Sequence, residues 1–341
     1  MIPACRLRPV REEDLAMLVD LVSRISGGMT SLPANEKYLA HRINDSLRAF
    51  DHRISKPAGE TYLFVLEEMP SGKIIGTSGL LSRVGGFDPF YTYRITRHEQ
   101  VYAPLEVQNE LKTLDLVKNH KGPTEICSLF LHPEHRRHGF GRLLSLARFS
   151  FIKAFPSRFA GEIIAELRGY LDEAGYSPFW EAVGNKFFQW DYYTADVLSG
   201  IGEKDFIEAL LPEFPIYVDL LPISAQKCIG KVHTQTEPAL KILLREGFAS
   251  TDEVDIFDAG PIVRADREQL HTWNALLRAR IQAVPSLPDK AQVYLITNRS
   301  LEYRATVAPV ASVTGDILTV SPETMALLEA AEGEEVHYMP I

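Results

Sequence analysis

An apolar run, a basic loop with two glycines, and a second apolar run follow one another near the middle of the chain. The stretch reads TEICSLFLHPEHRRHGFGRLLSLARF, residues 124–149. The continuous apolar letters up to Leu131 predict a central β-strand, and the segment from about Gly141 predicts an apolar helix. A strand that turns into a helix over a short loop gathers the free N–H groups of the helix start around one point. The stretch therefore predicts an anion-binding site.

The loop has the pattern R-x-x-G-x-G and carries several cations. Glycines allow the backbone to approach a ligand closely, and a helix start adds N–H donors and the positive end of the helix dipole. Arginines add charge that suits phosphate oxygens. These letters indicate a diphosphate ligand, although a helix with a solvated basic start would explain them too. The residues concerned are Arg136, Arg137, His138, Gly139, Gly141 and Arg142.

The remaining pattern predicts a mixed α/β fold rather than a doubly wound one. ETYLFVLEE and GKIIGTSGLLSRVG read as a hairpin around MPSG, GEIIAELRG reads as a strand, and TEPALKILLREGF reads as a helix that ends at Gly247. SPFWEAVGNKFF reads as one helix capped by Ser177. Helices and antiparallel strands alternate irregularly, as in an α+β mixed sheet. We expect a core at residues 1–260 and a β-rich C-terminal segment at residues 261–341.

Charge and composition exclude several classes of protein. The net charge of −9 disfavours a nucleic-acid binder. The chain has no apolar run of about 18 residues and becomes charged too early for a signal peptide, which predicts a cytoplasmic protein with no membrane partner. Cys5, Cys127 and Cys228 form no CxxC pair, which argues against disulfides and a cysteine-built zinc site. Cys127 lies inside the predicted central strand and is expected to be buried and unreactive.

Three histidines at a regular spacing of three residues suggest a metal site at first sight. His132, His135 and His138 lie in the basic loop together with Glu134. The neighbouring arginines disfavour a metal ion, and no further carboxylate or thiol completes a ligand set. The sequence therefore predicts that no metal is bound.

The order strand, R-x-x-G-x-G, helix resembles the acyl-CoA site of the GNAT N-acyltransferases. In that family the pantetheine arm lies along the exposed edge of the strand that precedes the motif and hydrogen-bonds to its backbone. The resemblance implies a GNAT-like core here. It also implies that Leu129, Phe130 and Leu131 form the strand part of the acyl-CoA site.

Longer stretches resemble the arginine N-succinyltransferase family. They include GGMTSLPANE (27–36), AELRGYLDEAGYSPFWEAVGNKFF (165–188), IGKVHTQTEPA (229–239) and EGFASTDEVDIFDAGP (246–261). The resemblance implies succinyl transfer from succinyl-CoA to the α-amine of L-arginine in arginine catabolism, with no permanently bound cofactor. An ornithine-specific or dual-specificity subunit, and a non-catalytic acyl-CoA-binding partner subunit, remain open alternatives. By analogy we expect a homo-oligomer, or a hetero-oligomer with a related subunit.

The resemblance also supplies a catalytic candidate. The family places its catalytic histidine in the motif IGKVHTQTEPA, which corresponds to His233 here. A histidine with a pKa near neutrality suits proton transfer during direct attack in a ternary complex. From its residue type alone, His233 reads as a hydrogen-bonded loop histidine.

The acceptor needs two opposite charges, because its carboxylate calls for a cation and its guanidinium calls for a carboxylate. Taken singly, the candidates read as surface charges or helix caps, and their individual roles stay unassigned. The candidate acceptor residues are Ser31, Asn35, Arg94, Glu166 and Arg168.

Overall fold

The computed structural model describes residues 3–25, 29, 31–136, 138–200 and 204–341. The chain divides into two compact units, named here unit 1 and unit 2. Unit 1 comprises Met1–Arg83, Ile126–Gly161 and Asp266–Ile341, and unit 2 comprises Val84–Glu125 and Glu162–Ala265. Within the described ranges, none of the helices combines the length and apolar character needed to cross a membrane.

The mixed α/β composition predicted from the sequence is confirmed. The strands are β1 Cys5–Pro9, β2 Thr61–Glu68, β3 Lys73–Leu81, β4 Phe90–Tyr102, β5 Val107–Asn119, β6 Thr124–Leu131, β7 Glu162–Glu166, β8 Ile216–Tyr217, β9 Ala249–Val254, β10 Pro261–Asp266, β11 Leu277–Ala283, β12 Gln292–Asn298, β13 Ala305–Thr314, β14 Ile317–Val320 and β15 Glu335–Pro340. The helices are α1 Leu15–Ser23, α2 Glu36–Ala49, α3 Phe140–Ala154, α4 Pro178–Ala182, α5 Gly184–Phe188, α6 Tyr192–Gly200, α7 Asp205–Leu210, α8 Ile223–Gln226, α9 Glu237–Glu246, α10 His271–Ala275 and α11 Pro322–Leu328.

In unit 1 the strands lie in the order β12, β15, β11, β14, β13, β1, β2, β3 and β6. β2 and β3 pair antiparallel from Thr61↔Leu81 to Glu68↔Lys73, which confirms the hairpin predicted around MPSG. β1 pairs antiparallel with β2, and it also pairs with β13 at Leu7↔Ala305. The C-terminal strands thus extend the sheet of unit 1, and the expected boundary at residue 260 stays a prediction.

Alternation along the strands of unit 1 gives the sheet two apolar faces. Leu63 and Val65 of β2 pack with α1 and α2. Phe64, between them, points the other way and meets Phe151 of α3 with ring centroids 5.3 Å apart. Because successive strand residues face opposite sides, a strand such as β2, which is buried along almost its whole length, indicates a sheet covered on both sides. Most of α3 is buried for the same reason.

In unit 2, β7 pairs in parallel with the first residues of β6, at Thr124↔Ile163 and Glu125↔Ile164. The strands β10, β9, β4, β5 and β8 follow in that order. The sequence did not predict the long β4–β5 hairpin, because its outer half is exposed on both faces and lacks an apolar alternation. The helix expected after Ser177 is two helices, α4 and α5. The chain turns at Val183 so that the Trp180 ring packs against Gly184, where a Cβ would lie 2.2 Å from the ring.

Candidate active site

The predicted strand–loop–helix arrangement is present in unit 1. β6 ends at Leu131, and α3 begins at Phe140, one residue before the expected start. Gly139 is the N-cap of α3 with a φ of 80°, a left-handed conformation that glycine adopts at little cost. A Cβ added at Gly141 would meet no atom within 4 Å, so the backbone of the first turn faces open space.

The first turn of α3 supplies the donors that an anion needs. The first N–H groups of an α-helix have no acceptor within the helix and lie at the positive end of its dipole. Arg136 donates from Nε to the carbonyl of Leu131 at 3.3 Å, and Arg142 and His138 are exposed beside the turn. Arg137, also a candidate, lies outside the described residues. The helix start therefore has the N–H donors and the neighbouring positive charge that an anion would need.

The edge of β6 that leads to this loop is open. Among the described residues, pairing with β7 is confined to Thr124 and Glu125. Ser128 interrupts the strand with a φ of 54°, and its carbonyl accepts from Thr77 Oγ1 at 2.8 Å. Leu129 and Phe130 are half-buried, and Leu131 is 9% exposed. Unpaired backbone groups at a strand edge can bind an extended ligand.

The structure corrects one prediction about Cys127. This residue is partly exposed rather than buried, because β6 loses its neighbouring strand at this level. Cys5 and Cys228 are buried and unpaired by disulfides, as expected.

His132, Glu134 and His135 come together in the loop, with potential ligand atoms within 4.8 Å of one another. His132 Nδ1 lies 3.7 Å from Glu134, and His135 Nδ1 lies 3.9 Å from Glu68. His138 stands apart, with its ring 6.1 Å from that of Phe140. Arginine side chains next to the set oppose a cation, and the absence of a bound metal stays a prediction.

In unit 2 the backbone holds His233 next to Arg168. The N–H of His233 donates to the carbonyl of Arg168 at 2.8 Å, and the neighbouring residues Gly169 and Val232 form an antiparallel bridge. His233 Nδ1 accepts from the N–H of Gln235 at 3.2 Å. With Nδ1 acting as an acceptor, the neutral ring carries its proton on Nε2. Burial first, and then the positive charge of Arg168, lower the pKa of His233.

A cluster of carboxylates surrounds the end of β7. Glu125 pairs with Ile164, so Glu125 and Glu166 lie on the same face of the sheet. Glu166 as a whole residue is half-buried, but its carboxyl group is buried. This burial raises the pKa of Glu166 well above the usual value, and the charges of Glu125 and Asp255 raise it further. Burial and then Asp258 likewise raise the pKa of Asp255. We call Glu125, Glu166, Asp255 and Asp258 the carboxylate cluster.

Asp258 ties this cluster to the backbone beneath His233. Its Oδ2 accepts from the N–H of Gly169 at 2.7 Å and from the Tyr192 hydroxyl at 3.2 Å. Its Oδ1 accepts from the N–H of Gly260 at 2.8 Å. Sequence reasoning found only Glu166 of this cluster. Asp255 and Asp258 lie in EGFASTDEVDIFDAGP (246–261), which the sequence analysis used only for its family resemblance, and Glu125 lies in the predicted central strand.

The other predicted acceptor residues are divided between unit 1 and unit 2. Asn35, in unit 1, is the N-cap of α2 and accepts from the N–H of Tyr38 at 3.0 Å. Ser31 lies four residues earlier and is half-buried. Arg94, in unit 2, is exposed and pairs with Glu253 at 3.0 Å. Within unit 2, Glu166 and Arg168 lie with His233, whereas Arg94 pairs with Glu253.

Unit 1 has a helix start with free N–H donors beside an open strand edge, and unit 2 has a histidine of lowered pKa. Groups of these kinds are expected of an acyltransferase. The family model described as arginine N-succinyltransferase beta subunit matches residues 5–272, and the model of its C-terminal domain matches residues 278–340. The chain belongs to this acyltransferase family.

Individual relatives agree with this assignment along almost the whole chain. A Pseudomonas aeruginosa protein named arginine N-succinyltransferase subunit beta is 41% identical over 98% of both chains. An Enterobacter sp. (strain 638) protein named arginine N-succinyltransferase is 39% identical over 97% of this chain and 96% of its own. The solved structure of arginine/ornithine succinyltransferase subunit AI from Pseudomonas aeruginosa superposes with a TM-score of 0.90 at 31% identity and covers 99% of both chains.

Proposed function

We propose that this chain transfers the succinyl group of succinyl-CoA to the α-amine of L-arginine, giving N2-succinyl-L-arginine and CoA. The observation that carries the proposal is the placement of Arg168 and His233 beside the carboxylate cluster in unit 2. A proton-transfer group, a cation and several carboxylates match the amine, the carboxylate and the guanidinium of arginine. Family membership and the names of the relatives support this choice. We place the reaction in cytoplasmic arginine catabolism.

For the donor, we propose that the start of α3 binds the diphosphate of succinyl-CoA, assisted by Arg136, Arg137 and Arg142. The helix itself holds its first N–H groups in place, so the protein need not rearrange to bind the diphosphate. The pantetheine arm then lies along Leu129, Phe130 and Leu131, whose strand edge is open. A thioester is already activated, so the reaction needs no resident cofactor and no nucleophilic side chain.

For the chemistry, we propose that the amine attacks the thioester directly and that His233 assists proton transfer from Nε2. The bond from Gln235 to Nδ1 favours the neutral ring with its proton on Nε2. That N–H can donate to the leaving sulfur as negative charge develops there. The α-ammonium of arginine releases one proton to solvent before the attack. The nitrogen loses its second proton as the amide forms and the C–S bond breaks, and the leaving thiolate takes up that proton, so CoA leaves as the thiol while the Nε2 proton of His233 stays on the ring.

For the acceptor, we propose that the carboxylate cluster binds the guanidinium and that Arg168 binds the α-carboxylate. Neighbouring carboxylates that raise one another's pKa are relieved when a cation binds between them. A planar guanidinium binds two carboxylates in a fixed geometry, whereas the ammonium of ornithine is a point charge. This geometry favours arginine over ornithine.

The direct test is thiol release from succinyl-CoA by the purified chain with arginine, ornithine, lysine or no acceptor, with acetyl-CoA as the donor control. We expect release that depends on arginine and on the succinyl donor. Release with ornithine alone would replace the acceptor. Donor binding without release for any pair would contradict catalysis and favour the partner-subunit alternative.

The pKa of His233 offers a second test that does not depend on turnover. Arg168→Met removes a positive charge that disfavours the imidazolium, so the pKa of His233 should rise toward its ordinary value. An NMR titration of the ring resonances measures it directly. Arg94→Met is the matched control, because Arg94 is exposed and pairs with Glu253. If the pKa of His233 in Arg168→Met is unchanged or lower, Arg168 does not act electrostatically on His233.

We also propose that the chain acts as a homo-oligomer or together with a related subunit. Sedimentation velocity of the purified chain at micromolar concentration tests the homo-oligomer directly. A single monomeric species would exclude the homo-oligomer.

A further inference from the structure

Four arginines of the described chain are buried, and two of them have carboxylate partners. Arg8 pairs with Asp14 at 2.7 Å and with Glu67 at 3.0 Å. Arg304 pairs with Glu329 at 2.6 Å. A buried charge is costly unless it is paired and hydrogen-bonded. These two side chains meet that requirement within the protein.

Arg158 lacks a carboxylate but has a clear structural role. Its two terminal nitrogens donate to the carbonyls of Ala49 at 2.9 Å and of Asp51 at 2.7 Å, just where α2 ends. Carbonyls at the end of a helix lack intrahelical donors, and a cation there also suits the helix dipole. Arg158 therefore completes the C-terminus of α2.

Arg148, on α3, has no comparable explanation. It is 2% exposed, and none of the described carboxylates forms an ion pair with it. Nε and Nη2 donate to the carbonyl and hydroxyl of Ser145, both at 3.2 Å, and Nη1 donates to the carbonyl of Cys127 at 3.4 Å. All three bonds are long for a charged donor, and further N–H groups of the guanidinium remain available. Burial lowers the pKa of Arg148 to about 10, against a smaller upward effect of Cys127, in line with the long hydrogen bonds and the lack of a carboxylate partner.

The position of Arg148 relates it to the donor site of unit 1. Arg148 reaches the backbone of Cys127, which is partly exposed and precedes the half-buried residues of the open strand edge. From Leu131 back to Cys127 is at most roughly 13 Å, the length of four extended residues, since Ser128 interrupts the strand. From the start of α3 at Phe140 to Arg148 is about 12 Å along the helix. The guanidinium of Arg148 and Cys127 thus lie at similar distances from the anion-binding loop.

The acyl group of a bound donor would lie at the same distance from the anion-binding loop. Between its phosphate and its sulfur, the pantetheine arm has about as many bonds as four residues of extended chain, roughly 13 Å. An arm that starts at the loop and runs back along β6 brings the thioester near Cys127. A succinyl group then extends a carboxylate beyond the thioester, into the neighbourhood of a buried cation that lacks an anion.

We propose that Arg148 recognises the terminal carboxylate of the acyl donor and thereby selects a dicarboxylic acyl-CoA over a neutral one. This inference rests on the proposed function, since it assumes that acyl-CoA binds along β6. The donor carboxylate supplies the partner that Arg148 lacks and replaces its long bond to the Cys127 carbonyl. A neutral acyl chain leaves the guanidinium uncompensated, so the site disfavours it.

The test compares two unreactive donor analogues, a carboxypropyl thioether and a butyl thioether of CoA, by calorimetry. They have the same chain length and differ only in the terminal carboxylate. The unaltered protein should bind the carboxylate analogue about 100-fold more tightly, because a charge-assisted bond to a buried cation is among the strong ones. Arg148→Gln should remove this preference, and Arg148→Lys should retain part of it.

Arg158→Gln is the matched control, because it also removes a buried arginine that bonds to backbone carbonyls. It should lower stability but leave the preference for the carboxylate analogue. If Arg148→Gln does not fold, the preference for the carboxylate analogue is compared between Arg148→Lys and the unaltered protein. Equal binding of both analogues by the unaltered protein, or an unchanged preference in either Arg148 variant, would overturn the proposal.

Turnover separates this inference from the proposed function. Arginine-dependent succinyl transfer by the unaltered protein, with a donor preference that survives in the Arg148 variants, would sustain the function and remove Arg148 from donor selection. Failure of the unaltered protein to transfer succinyl would contradict the proposed function. The binding comparison would then still test whether Arg148 recognises the donor carboxylate. A fall of about 100-fold in the ratio of kcat/KM for succinyl-CoA over acetyl-CoA in Arg148→Gln would support both.

Discussion

Replacing His233 by Ala is expected to lower kcat by about 10²- to 10⁴-fold while leaving donor binding unchanged. The imidazole removed has a lowered pKa, a backbone bond from Gln235 to Nδ1, and Nε2 left for a substrate. Its loss removes the proposed donor to the leaving sulfur. We assign the diphosphate and the pantetheine arm to the helix start and strand edge of unit 1, so most of the binding of CoA should remain without the imidazole. Thiol release and calorimetry with CoA measure the two properties separately.

The matched control for this variant is His98→Ala. His98 also lies in unit 2, on β4, where its Nε2 lies 3.1 Å from Thr113 Oγ1. Its removal should leave turnover unchanged, because it contacts neither Arg168 nor the carboxylate cluster. His233→Gln keeps an amide N–H near the position of Nε2 and should retain more activity than His233→Ala. Full turnover by His233→Ala would take the histidine out of the mechanism.

Gly260→Ala should lower the free energy of unfolding by about 3 kcal/mol or more. A Cβ at Gly260 would lie 2.0 Å from the carbonyl oxygen of Leu167 and 2.7 Å from the N–H nitrogen of Gly169. Both contacts are backbone atoms, which cannot rotate away as a flexible side chain could. The two segments would have to separate, and the bond from the Gly260 N–H to Asp258 would be strained with them.

Denaturant unfolding of Gly260→Ala measures the loss, with Gly161→Ala as its control. A Cβ at Gly161 would meet no atom within 4 Å, so that substitution should change stability little. Because Arg168 lies between Leu167 and Gly169, Gly260→Ala should also disturb His233 and reduce turnover. Stability equal to that of the unaltered protein would show that the two backbone segments do not pack as closely as the structure has them.

Local patterns in the sequence were sufficient to predict the strand, loop and helix to which we assign donor binding. The apolar run of β6, the glycines and the apolar α3 predicted a strand, a loop and a helix because each is determined by neighbouring residues. Gly247 marked the end of α9 and adopts a φ of 105°, as a glycine at a helix end does. For His233, residue type alone indicated only a loop histidine, and the resemblance of its whole motif identified it as a candidate.

Contacts between distant parts of the chain decided the rest. The helix expected after Ser177 divides because Trp180 needs space against Gly184, a packing event that periodicity cannot reveal. Cys127 is partly exposed because β6 loses its partner strand.

The sequence by itself determined the β2–β3 hairpin, the order of β6, the glycine loop and α3, and the motif that contains His233. Only the tertiary structure assembled the carboxylate cluster from β6, β7 and the segment after β9. It alone left Arg148 buried without an anion. The physical reason is that secondary structure follows local backbone and side-chain preferences, whereas the charge balance of a site depends on which distant segments pack together.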